Sequence, residues 1–395
     1  MVMALYPYVY MLARGAFASQ GRSTLEAARV LGLGPWAAFF RVALPMARPA
    51  IMAGLALALM ETLADFGAVS VFNYDTFTTA IYKAWFGLFD IAAAAQLASV
   101  LLVFVLVALV LERRTRERAR YHAAGRLAGA QRSRLRGWRA WAATGACAAV
   151  LGLAFVTPLV QLGLWAAEVI ARDLDHRYWG LLLHTATLGL VAAALTVAGA
   201  FVLSYTRRYH GNRAVAATVR LGTLGYALPG SVLAVGVMLS FTWLDARIAD
   251  VVESLFGVTP GFLLGGGLAG LILAYVVRFM AVSFGPVDSG LERIKPSLRE
   301  AAQSLGAPPR RVVWQVYLPL LRPGLLTAAA LVLVDVMKEM PATLLLRPFG
   351  WDTFAVRIFE LTSEGEWERA ALPAVTLVAV GLVPVILLVR RNTFR

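Results

Sequence analysis

Two stretches of this chain, 274 positions apart, carry the same residues at the same spacing. The first, EAARVLGLGPWAAFFRVALP, runs from Glu26 to Pro45, and the second, EAAQSLGAPPRRVVWQVYLP, from Glu300 to Pro319. Glu26, Ala27, Ala28, Gly32, Leu44 and Pro45 recur as Glu300, Ala301, Ala302, Gly306, Leu318 and Pro319. Arg48-Pro49 and Arg322-Pro323 follow in step. A register held over so long a span marks an internal repeat, so the chain reads as two homologous halves.

Each copy is expected to form two short helices with a break between them. Ser23 and Ser297 stand three residues before Glu26 and Glu300, the capping-box spacing for a helix start. Gly32 and Gly306 suit a left-handed exit, and Pro35 or Pro308-Pro309 can open the next helix. That second helix carries Trp36, Phe39 and Phe40 in one copy and Val312, Val313 and Trp314 in the other, with Arg41, Arg310 and Arg311 as basic points.

A membrane is required to explain the remainder. The chain is 59% hydrophobic and 15% charged, with a mean hydropathy of +0.70, which excludes an ordinary soluble fold of this length. Cys147 is the single cysteine and lies in an apolar run, so neither a disulfide framework nor a cysteine metal cluster is expected. Candidate spans fall at about 47–68, 91–111, 141–166, 181–205, 218–243, 261–285, 320–346 and 370–389, each near the ~20 residues a bilayer needs. The predicted organisation is a first half at 1–111, an Arg-rich linker at 112–139 and a six-helix second half at 140–395. Residues 1–18 are apolar, too short to span, and lack a basic leader and cleavage site. The repeat register therefore predicts that the first half starts inside a membrane helix, with about three helices and part of a fourth upstream. A fragment or a misassigned start fits that register better than a naturally short form.

The net charge of +14 has to be placed relative to the membrane. With both repeats on one face, most Lys and Arg residues fall on that face. Lys83, Arg172, Arg177, Arg247, Arg347, Arg357 and Arg369 fall on the other, and Lys338 within a span. The positive-inside rule then makes the repeat face cytoplasmic. The linker from Glu112 to Arg139 contains ten Arg residues, and with no aromatics interleaved in a recognisable recognition module it is expected to meet anionic lipid rather than nucleic acid. Gly261, Gly265, Gly266, Gly267 and Gly270 read as helix-packing positions. The sequence holds no Walker A, His-Glu-x-x-His or Gly-x-Ser-x-Gly pattern, so no ATP site is expected on this chain.

Charged residues inside spans are costly and are functional candidates. Glu61 and Asp65 follow the first repeat, and Asp335, Lys338 and Glu339 follow the second; the 274-residue offset equates Glu61 with Asp335 and Asp65 with Glu339. Within one continuous helix each i,i+4 pair shares a face. Four carboxylates against one Lys suit the passage of a hard cation; the competing reading has Lys338 pair with Asp335 or Glu339 and fix helix packing. A second matched pair is Tyr74-Asp75-Thr76-Phe77 and Trp351-Asp352-Thr353-Phe354, read as a turn with an Asp cap on the outer face. The four His residues, 122, 176, 184 and 210, show no paired ligand spacing, so no fixed metal site is assigned.

The pattern Glu-Ala-Ala, three residues, Gly, nine residues, Val42 or Val316, one residue, Leu-Pro resembles the coupling motif of ABC importer permeases. Two copies in one chain are similar to the fused ferric-iron permeases fed by a periplasmic binding protein. This resemblance covers essentially the whole chain. It implies an all-α polytopic membrane protein with the type I importer permease fold, two homologous six-helix halves (the first truncated) and a pseudo-two-fold axis along the membrane normal. It further implies a bacterial inner-membrane subunit without its own ATPase site or cofactor. ATP would be bound by a cytoplasmic ABC ATPase dimer that receives both motifs. The acidic residues of the two halves would line the pathway where the halves meet. Thiamine, polyamine and phosphonate importers share this architecture. A secondary transporter would leave the paired motifs unexplained, and a membrane enzyme would need a catalytic constellation that the sequence does not offer.

Overall fold

The computed structural model describes residues 1–20, 22–120, 135–257 and 266–393. Residues 121–134 of the Arg-rich linker, together with Gly261 and Gly265, lie outside them. Among the described residues every regular element is helical. They are α1 Val2–Ser19, α2 Arg22–Val30, α3 Pro35–Ala38, α4 Leu44–Ala64, α5 Gly67–Val71, α6 Phe77–Tyr82, α7 Ile91–Arg120, α8 Trp138–Leu151, α9 Thr157–Asp173 and α10 His176–Tyr209. Then follow α11 Arg213–Gly222, α12 Gly230–Phe256, α13 Leu268–Glu292, α14 Pro296–Ser304, α15 Pro309–Val312, α16 Leu318–Met337, α17 Pro341–Leu346, α18 Phe354–Ser363 and α19 Trp367–Thr393. Eight helical stretches are long and apolar enough to cross a bilayer, so this is a multi-pass membrane protein.

Those eight coincide with the eight expected spans, but several bounds move. The span expected at 218–243 is the amphipathic α11, a short 3-10 turn at Gly225–Ala227, and then α12. The spans expected at 47–68 and 320–346 are each interrupted. α4 ends at Ala64 and α16 at Met337, and the short α5 and α17 take over. Apolar content continues through both interruptions, which is why hydropathy alone bridges them.

Packing groups the chain into two units, one of Met1–Ala68 with Val100–Gln161 and the other of Val69–Ser99 with Leu162–Arg395. In the first, α1 runs along α4, and a Cβ on Gly54 would stand 2.7 Å from Val9 Cα. In the second, α10, α13 and α16 pack on one another around Ala200, Met280, Phe284, Val287 and Ala328. The 3-10 turn before α12 is held against α13 so closely that a Cβ on Gly225 would lie 2.0 Å from the carbonyl oxygen of Val277. Gly225→Ala therefore forces backbone apart, an overpacking cost of about 1–3 kcal/mol. We expect it to lower the melting temperature of the detergent-solubilised protein by several degrees. Unchanged melting would show that this approach is looser than described.

Candidate functional site

The two repeats fold into the same backbone. α2 and α14 each exit through a left-handed glycine, Gly32 at φ 83° and Gly306 at φ 79°. Leu33 N–H bonds Ala28 O and Gly32 N–H bonds Arg29 O; Ala307 N–H bonds Ala302 O and Gly306 N–H bonds Gln303 O. This is the Schellman pattern. It gives the Glu-Ala-Ala-x3-Gly spacing a physical basis: the second Ala supplies the carbonyl that the residue after Gly must reach. Ala302 and Ala307, the two apolar positions flanking that bond, pack on Leu291, Val312 and Leu321. Pro35 and Pro309 open α3 and α15 as first helical residues. A π turn follows in both, Phe39–Ala43 and Val313–Tyr317, leading into α4 and α16.

The serine caps are not formed. α14 starts at Pro296 with Lys295 as its N-cap residue, and α2 starts at Arg22, so Ser297 and Ser23 fall inside the first turn. In α14, proline at the first helical position sets the start instead.

Each hairpin presents large apolar side chains outward. Trp36 is 76% exposed and stacks on Phe40; Trp314 is 64% exposed. Leu31 and Leu305, equivalent residues beside the left-handed glycines, are also exposed. Exposed apolar side chains of this size make the two hairpins candidate docking surfaces.

At the other end of α4 and α16 the expected i,i+4 faces do not form. Asp65 has extended backbone (φ −67°, ψ 133°) after the last turn of α4, and Glu339 follows the last turn of α16. The helix stops before the second carboxylate in both copies. Equivalent bonds close the two turns, Asp65 N–H to Thr62 O and Glu339 N–H to Val336 O. Glu61 accepts a bond from Tyr8 at 3.4 Å. Asp335 pairs with Lys338 at 2.9 Å, and the Lys338 side chain is 59% exposed.

Glu339 is the buried member, 6% exposed, and its partner is Arg278 of α13, itself 12% exposed, at 3.3 Å. The other carboxylate oxygen accepts from Ala342 N–H at 3.2 Å at the start of α17. Thr343 donates to Glu339 O at 2.6 Å and meets Tyr275. Gly230 stands against the pair: a Cβ there would lie 2.4 Å from Glu339 Oε1 and 2.6 Å from an Arg278 guanidinium nitrogen. Arg278, which the sequence analysis does not single out, lies mid-helix in α13. Its signal was available as a charge 10 residues after Leu268, inside an apolar stretch. Both acids of the second repeat thus have cationic partners, and the expected surplus of negative charge is smaller by one.

The second matched pair also needs correction. Thr76 and Thr353, not Asp75 and Asp352, are the N-cap residues of α6 and α18, and the aspartates instead pair with Lys83 and Arg347. Tyr82 and Phe359 keep the 277-residue offset of these segments and touch each other edge to face, with ring centroids 5.9 Å apart. A cavity of about 1240 Å³ opens at the end of α10 remote from the hairpin, lined among others by Arg172, Arg177, His184, Asp352, Arg357 and Arg369.

A family model described as the binding-protein-dependent transport system inner membrane component matches residues 1–119 and 196–395. The Fe(3+)-transport system permease protein FbpB 2 of Haemophilus influenzae is 26% identical, an alignment covering 98% of this chain and 74% of that one. The ferric transport system permease protein FbpB of Actinobacillus pleuropneumoniae is 24% identical over 96% of this chain and 56% of its own length. The putative 2-aminoethylphosphonate transport system permease protein PhnV of Salmonella typhimurium is 30% identical over 52% of this chain and 71% of that one.

Removing Glu339 leaves Arg278 buried without its counter-charge. Glu339→Ala is expected to cost about 3–5 kcal/mol. Asp335→Ala, which removes one contact of a largely exposed lysine, costs about 1 kcal/mol or less. Parallel thermal melts of the two variants check the contrast, and equal losses would refute it.

Proposed function

Because the chain belongs to the binding-protein-dependent transport system inner membrane components, we propose that it is the membrane subunit of an ABC importer that moves ferric iron across a bacterial inner membrane. One observation carries the coupling half of this reading. Two hairpins of the same backbone, 274 residues apart in sequence, each expose bulky apolar side chains next to a left-handed glycine. One molecule with two like sites, an ATPase dimer, fits that duplication. ATP is bound and hydrolysed there, and this chain needs no cofactor. Glu26, Ala27, Ala28, Gly32, Leu44 and Pro45, with Glu300, Ala301, Ala302, Gly306, Leu318 and Pro319, shape the hairpins. The aromatic and aliphatic neighbours fill the grooves.

A displaced hairpin moves the helix that continues from it, α4 or α16, as a body. Switching between inward and outward access follows from such rigid-body motion. A periplasmic binding protein delivers cargo at the opposite end, where the charged cavity and the Asp352 segment lie. Glu61, Asp65, Asp335, Lys338 and Glu339 stand as the proposed pathway residues. Ferric iron is favoured by the two relatives that align with nearly the whole chain; the phosphonate permease, aligned with about half of it, supports the runner-up cargo.

Trp36→Ala with Trp314→Ala should reduce co-purification of the ATPase subunit about tenfold or more, since exposed aromatics of this kind dominate interfaces. Retention at the parent level would remove the proposed docking surface. Radiolabelled ferric uptake in cells lacking the gene should be lost, and the native reading frame should restore it. Glu61→Gln with Asp335→Asn should lower that uptake with the amount of folded protein unchanged. Undiminished ferric uptake in the deletion strain, with 2-aminoethylphosphonate uptake lost, would transfer the cargo assignment.

A further inference from the structure

The hairpin α14–α15 is built into a two-helix body. α13 ends at Glu292 and α14 begins at Pro296, while α16 starts at Leu318, directly after the π turn that follows α15. The two long helices pack without a gap: a Cβ on Gly324 would lie 2.9 Å from Pro286 O, and one on Gly290 3.1 Å from the Leu321 side chain. Leu291, Val312, Tyr317 and Leu321 close the hairpin end. Close packing of this kind lets α13 and α16 move with the hairpin as one body.

About 20 Å along α13 from Leu291, at mid-helix and just past the end of α16, Arg278 and Glu339 meet the beginning of α12. Arg278 also donates to Leu228 O at 3.3 Å, and Gly230 leaves the pair its seat. Separating a buried ion pair is costly, so the pair travels with its body. The contacts that a movement can open are those to Leu228 O and Gly230. Both carboxylate oxygens of Glu339 are already occupied, by Arg278 and by Ala342 N–H, which leaves it a poor ligand for a hard cation.

We propose that the Arg278–Glu339 ion pair is a polar latch that holds the start of α12 to the α13–α16 body in one access state and is released when the hairpin is driven. The proposal rests on the importer reading and withdraws Glu339 from the list of pathway residues. Arg278 and Glu339 are positioning residues: they act through the helix junction and not by holding cargo.

The test uses the whole transporter, with its ATPase and binding protein, in proteoliposomes. Two variants are compared with the parent: Arg278→Met with Glu339→Gln, which removes both charges together, and Gly230→Ala, which keeps both charges and pushes the pair from its seat. Each should raise ATP hydrolysis in the absence of loaded binding protein by about fivefold or more. Each should also lower cargo imported per ATP, while the complex remains assembled. Should the double variant fail to fold, Gly230→Ala decides. Parent-like basal hydrolysis and import in Gly230→Ala would overturn the latch and leave the pair as packing. A parent complex whose hydrolysis ignores its binding protein would instead sink the importer reading, and the latch with it.

Discussion

Backbone polar groups inside a membrane must find partners within the protein, and the interruption after Met337 meets that demand in a way that organises the second unit. Ending α16 there leaves carbonyls and amides without helical partners in an apolar setting. Glu339 supplies a carboxylate to Ala342 N–H, Thr343 returns a hydroxyl to Glu339 O, and Tyr275 engages Thr343. Burying that carboxylate then requires a cation, which α13 provides as Arg278. The cation requires in turn a glycine at position 230, since any side chain there would collide with it. A single broken helix thereby dictates residues on four elements.

The two repeats keep their backbone alike while their chemistry diverges. The Schellman bonds, the prolines and the π turns agree residue for residue. Trp36 is matched by Arg310 and Phe40 by Trp314, so the exposed aromatic stands one helical turn further along in the second copy. The position equivalent to Arg278 is Ala4, and in the first repeat the helix-borne acid, Glu61, meets a tyrosine hydroxyl. Shared geometry with unlike side chains suits a machine driven at two points whose cargo side is asymmetric.

What was legible in the sequence follows the range of the forces involved. The left-handed glycines, proline starts and membrane spans depend on residues close in sequence, and Gly32, Gly306, Pro35 and Pro309 behave as their spacing foretells. Ser297 misleads because a serine spaced as a cap competes with the adjacent Pro296, and proline fixes the first helical residue more firmly. The break before Glu339 is invisible to hydropathy because Met340, Leu344, Leu345 and Leu346 are as apolar as the helix they follow. Arg278 and Gly230 are visible only once α12 and α13 lie side by side; their meaning is tertiary.

Tyr82 and Phe359 occupy equivalent places in two related segments and nevertheless touch. Equivalent points can meet only where the operation relating them leaves space nearly unmoved. Displacement in a rotation grows with distance from its axis, so any turn of α6 against α18 about this pair of rings would move the rings least. An edge-to-face contact tolerates a change of tilt with little loss. Two flat, hard side chains at the still point let their helices swing while keeping their spacing.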